Sequence, residues 1–152
     1  MEVAIPDLIR KIRSLKPREK VPGILHKGLM AAIQTGNNLG LPEEDFTFIL
    51  QDVGEEIKEE DGYKTFEVPI NKEKAHLLTT IHNKLVNTHT DDLKHWWKIF
   101  HAAGEDWTVV SQNWEGTSWG YFTGDDGAMR TMSGRIIDNM KRYNIGTLLW
   151  PE

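Results

Sequence analysis

Residues 106–126, DWTVVSQNWEGTSWGYFTGDD, decide the fold reading, because they hold three of the chain's six tryptophans and read as two short apolar arms around a turn. Arms over 107–112 and 117–123 with Asn113, Trp114, Glu115 and Gly116 between them fit a β-hairpin, Gly116 being the residue best able to take a positive φ. In that register Gln112 opposes Thr117, Val110 faces Trp119 and Thr108 faces Tyr121; a slip of one residue would exchange the faces. The arms are expected to bury their aromatics in a sheet. The tip, with Trp114 flanked by Gln112 and Glu115, is expected to stay exposed.

Working outward toward the C-terminus, Asp125 or Asp126 caps a helix whose stripe is Met129, Met132, Ile136, Met140 and Tyr143, with Gly134 weakening its interior. Asn144 ends that helix in the left-handed conformation, and IGTLLW reads as a final strand. Toward the N-terminus, Leu93, Trp96, Trp97 and Phe100 mark a helix that Thr88 or Thr90 caps and Gly104 stops. Leu77, Leu78, Ile81 and Leu85 suggest another over 72–86, capped by Asn71. The alternating YKTFEVPI of 63–70 reads as a strand, confined to an edge by Pro69.

The first third is helical by the same criteria. Ile5, Leu8, Ile9, Ile12 and Leu15 fall on one face of a helix over 5–16, with the basic residues on its outer face and Pro17 ending it. Residues 24–35 form a second helix closed by Gly36, and 42–53 a third, opened by Pro42 and three acids and stopped at Gly54. The expected fold is therefore α+β: a small, mostly antiparallel sheet of about four strands packed with about six helices, behind a helical N-terminal third. A chain of 152 residues fits a single domain, 1–152, with 1–55 as a candidate helical subdomain or a cover for one sheet face.

Composition narrows the function classes. Cysteine is absent, which excludes disulfides, thiolate metal sites and a cysteine nucleophile. No apolar run reaches the length of a signal peptide core or a membrane span, so a cytoplasmic protein with no membrane partner is expected. A net charge of −5 disfavours nucleic acid as partner. The charge is uneven: seven basic residues between Arg10 and Lys27 oppose only Glu19, while nine acids between Asn37 and Gly62 oppose only Lys58. Segments of opposite sign steer partners or pair with each other, and the second outcome is the expected one.

No GxSxG elbow, Walker loop, dinucleotide fingerprint or HExxH occurs, so neither cofactor nor metal is expected. His89, Asp91, Asp92, His95 and His101 lie around one helix, but their spacing matches no metal motif and a helix dipole accounts for the acids. The helices over 24–35 and 42–53 resemble a helix-turn-helix only in spacing, since the second opens on three acids and carries no Lys or Arg. Two functions remain. The first is a non-catalytic binding or regulatory protein that takes a protein partner, using Gln112, Trp114, Glu115 and Trp119 of the aromatic hairpin together with its charged helices. The second is a small hydrolase or lyase on a nucleotide-like or other polar small molecule, with Glu67, His95, Glu115, Tyr121 and Asp125 as candidate catalytic groups.

Overall fold

The computed structural model describes residues 4–117 and 119–150. The chain runs through helix α1 (Ile5–Leu15), a single 3-10 turn at Arg18–Lys20, α2 (Gly23–Thr35), α3 (Glu43–Lys58), strand β1 (Leu77–Thr79), α4 (Asn83–Asn87), α5 (Thr90–Ala103), β2 (Trp107–Thr108), α6 (Trp119–Thr123), α7 (Asp126–Arg142) and β3 (Thr147–Leu149). Where apolar spacing and end signals agree, the helix follows the sequence. Gly36 and Gly104 close α2 and α5 in the left-handed conformation. Asp125 accepts the Ala128 N–H at the start of α7, and Asn144 takes φ 54° just after its end.

The sheet corrects the expectation. Its three strands are all parallel, in the order β2–β1–β3, with Leu77 opposite both Trp107 and Thr147. Parallel neighbours need crossover connections: α4 and α5 carry the chain from β1 to β2, and α6 and α7 carry it from β2 to β3. Among the described residues there are seven α-helices rather than about six.

The hairpin over 107–123 does not form, although Ser118 within it lies outside the described residues. Residues 107–108 pair with β1 and residues 114–116 with Ile81 just beyond it, instead of folding back on each other. Ile81 donates to the Trp114 carbonyl at 3.0 Å, Gly116 donates to that of Ile81 at 3.2 Å, and Ile81 forms a parallel bridge with Glu115. The expected second arm is helix α6. Asn113, not Gly116, takes the positive φ in this stretch. Gly116 is required for space: a Cβ there would sit 2.6 Å from Thr80 Oγ1 and 2.8 Å from Trp150 Nε1.

Two further elements differ. The expected helix over 72–86 is β1 followed by the short α4, because Leu77–Thr79 is the central strand and is buried throughout. The expected strand over 63–70 is coil, touching the sheet through a single bridge from Ile70 to Val109. Helix α3 passes through Gly54, where it was expected to stop, since this glycine lets the helix lie against Val68.

The core joins α3, α5 and the strands. Phe46, Leu50, Val53 and Ile57 of α3 pack with Leu93, Trp97 and Phe100 of α5, with Leu78 and Ile81, and with Trp107, Val109, Val110 and Trp114. Trp114 stacks on Phe46 with ring centroids 4.2 Å apart and planes within 4°, and Trp97 and Phe100 both tilt against Trp107. Burying each such side chain is worth on the order of 2–3 kcal/mol, so the aromatics of 107–114 are mainly cohesive.

Candidate functional site

The N-terminal face is organised by the way α1 sits. Gly124, at φ 71°, lies under the α1 backbone: a Cβ there would come within 2.9 Å of Ser14 N and 3.0 Å of the Arg10 carbonyl. The Arg10 guanidinium pairs with Asp126 in the first turn of α7 and lies over the Tyr121 ring, 5.8 Å from its centroid. Arg13 Nη1 donates to the Phe122 carbonyl at 3.2 Å, at the end of α6. The arginines of α1 therefore face the body of the molecule.

Its apolar side faces out. Ile5, Leu8, Ile9, Ile12 and Leu15 are 43–73% exposed, and no residue of α1 is buried. This reverses the expected orientation, in which the apolar stripe was to be covered and the basic residues turned to solvent. On a helical wheel Arg10 lies about 160° from the centre of the stripe, so a body that holds Arg10 leaves the stripe to solvent. A groove of about 450 Å³ between α1 and α2 takes Arg13 and Ser14 from α1, not the stripe, and combines Leu29, Met30 and Ile33 with Asp125 and Asp126. Ile24 adds a further side chain 75% exposed. Five large apolar side chains exposed along one helix face are unusual on a monomer and mark a contact site.

The same N-terminal segment carries exposed cations, Lys11 and Lys16 among them flanking the stripe. Lys11, Lys16, Lys20 and Lys27 are exposed, and none is in an ion pair among the described residues. The acidic segment does not neutralise them. Glu55 pairs with Lys58, Glu56 with Lys94 and Glu60 with Lys98, so the expected pairing between the two charged segments is absent among the described residues.

The residues singled out from sequence lie elsewhere. Trp114 is 1% exposed. Glu115 is buried, its carboxylate accepting from Asn38 N at 2.5 Å and from Trp119 Nε1 at 3.1 Å. The Gln112 side-chain amide donates to Glu43, as does the Ser111 hydroxyl, and these bonds hold the Glu43 carboxyl below its ordinary value. Trp114 and Glu115 are thus internal, the first stacked on Phe46 of α3 and the second joining the α2–α3 loop to the half-buried Trp119 of α6, while Gln112 stays exposed, its amide on Glu43 at the start of α3. Of the candidate catalytic groups, Glu67 lies exposed in coil, His95 exposed on α5, Tyr121 half-buried beneath Arg10, and Asp125 at the α7 cap.

Among the described residues no three His, Asp or Glu side chains come together to hold a metal ion. Asp91 is bound by Lys94 at 2.7 Å, and His101 packs on Tyr63 and Phe66. No described helix is long and apolar enough to cross a membrane. No protein-family model, curated protein or solved structure matches this chain. Its function is therefore read from its own side chains. The segregation of α1 is legible in the sequence, but amphipathicity shows that a face must be covered, not which body covers it.

Proposed function

We propose that this is a non-catalytic binding or regulatory protein of the cytoplasm that takes an acidic protein partner on α1 and the adjoining α2 groove. The observation that carries the reading is the outward apolar stripe of α1, flanked by Lys11 and Lys16, which have no ion-pair partner among the described residues. An apolar centre with a charged rim is the usual anatomy of a protein interface, and the rim sets the sign of the partner. A second copy docked stripe to stripe would bring two cationic rims together, which disfavours self-association. A bilayer surface is a weaker fit, because an interfacial helix turns its cations toward the headgroups, whereas Arg10 and Arg13 are held by the body.

The test compares the protein with its Ile9→Asp, Ile12→Asp variant as immobilised baits in native lysate, beside flotation on vesicles of anionic phospholipid. Both positions are exposed, so circular dichroism should show the variant folded. The expected result is a protein captured by the parent, released at high salt and lost with the variant, with no flotation. Equal capture by both baits would overturn the reading, and so would flotation without protein capture.

A further inference from the structure

A second cleft, of about 560 Å³, opens at the other side of the chain's chemistry, beyond the carboxyl ends of β1 and β3. It is lined by His82, Lys84, Leu85, His89, Asp92 and Trp96, with Leu149 and Trp150. Open parallel sheets receive ligands at this edge, where strands end and crossover connections diverge. The walls are built for a flat apolar body. Trp96 and Trp150 are 40% and 37% exposed, too open to be core and too large to be incidental at one cleft.

Two of the lining groups are held in place before any ligand arrives. The Trp150 indole is fixed by its Nε1 donating to the Gly116 carbonyl at 2.7 Å. His82 Nδ1 accepts the Lys84 N–H at 3.0 Å, so the neutral ring carries its proton on Nε2. Burial, and next the charge of Lys84, hold this imidazole below its ordinary value, which keeps it neutral at pH 7. Around the rim, the Lys84 ammonium and the Asp92 carboxylate make no ion pair among the described residues.

We infer that this cleft binds a small planar aromatic molecule bearing one carboxylate. The ring lies against the two indoles, the carboxylate meets Lys84, and His82 Nε2–H donates to a polar atom of the ligand. The charge limit follows from the lining: Lys84 matches one negative group, and among the described residues no second lysine or arginine is there for a dianion, whose extra charge would be desolvated beside Asp92. This site is independent of the α1 interface and stands or falls separately from it.

Indole-3-carboxylate is the probe, with its neutral carboxamide and adenosine monophosphate as comparators, titrated by calorimetry and by amide NMR. The expected dissociation constant is about 0.1 mM, a modest affinity for an open site. The carboxamide and the monophosphate should each bind at least ~5-fold more weakly, in keeping with one exposed charge contact. Amide shifts should cluster at 82–85 and 149–150. Trp96→Ala should weaken binding about 10-fold, the loss of one aromatic contact, and Lys84→Met should erase the preference for the carboxylate over the amide. Both substituted side chains are exposed, and the unchanged amide spectrum elsewhere verifies the fold. No binding by about 1 mM, binding untouched by Trp96→Ala, or tighter binding of the monophosphate would each overturn the inference.

Discussion

Glu115 shows how far a side chain's role depends on its neighbours. By sequence it sits in a polar, glycine-bearing tip; in the fold its carboxylate is buried and receives the Asn38 N–H and the Trp119 indole N–H. Gly116 misled for the same reason. A glycine after Asn-Trp-Glu suits a hairpin turn, but here it makes room for Thr80 and Trp150, which come from 36 residues before it and 34 after it. No local pattern carries that information, because close approach is a property of the partner. The role of Glu115 is testable: Glu115→Ala leaves two half-buried donors without their acceptor, at a cost of about 2 kcal/mol. Urea unfolding should show a midpoint well below that of the parent. An unchanged midpoint would mean that the carboxylate is not a structural joint.

At the scale of elements, α1, α2, α5 and α7 were legible because periodicity and a stop signal agreed; of the expected N-caps Asp125 opens α7, whereas α5 starts after His89 with no side-chain cap in place of Thr88 or Thr90. Strand β1 was not. Leu77, Leu78 and Ile81 satisfy helical spacing as well as they satisfy a strand buried on both faces, and β1 spans only Leu77–Thr79. Its identity comes from β2 and β3, 30 and 70 residues away in register, Leu77 lying opposite Trp107 and Thr147. Glycines inside helices raise a similar ambiguity, and the packing resolves it. At Gly54 an added Cβ would meet Val68 Cγ2 at 2.7 Å, whereas nothing lies within 4 Å of a Cβ at Gly134. Helix propensity favours alanine by about 1 kcal/mol at either position, and overpacking costs roughly 1–3 kcal/mol where there is no room. Gly134→Ala should therefore raise the melting temperature, and Gly54→Ala should lower it or leave it unimproved. Thermal unfolding of both variants gives the signs, and a Gly54→Ala protein as stabilised as Gly134→Ala would contradict the close packing of α3 on Val68.

The whole molecule divides by cohesion. α3, α5 and the sheet share one aromatic core, while α1 contributes no buried side chain and is held by an arginine ion pair, a ring contact, hydrogen bonds to the Phe122 carbonyl and to Met129 Sδ, and its packing on Gly124. Exposed ion pairs are worth about 0–1 kcal/mol and an exposed cation–π contact about 0.5–1 kcal/mol, so little of the folding free energy rests on α1. Charge points the same way: the basic N-terminal segment and the acidic one after it are both legible in sequence, yet the ion pairs of Glu55, Glu56 and Glu60 go to Lys58, Lys94 and Lys98. A segment that adds little to the fold and exposes five large apolar side chains is selected for something outside the fold. Deleting residues 1–16 should then leave a cooperative transition within about 5 °C of the parent's, the shift expected for roughly 1 kcal/mol in a domain of this size. If truncation instead removes the cooperative transition, as differential scanning calorimetry would show, α1 is part of the folding core, and its outward stripe must be explained by something other than a partner.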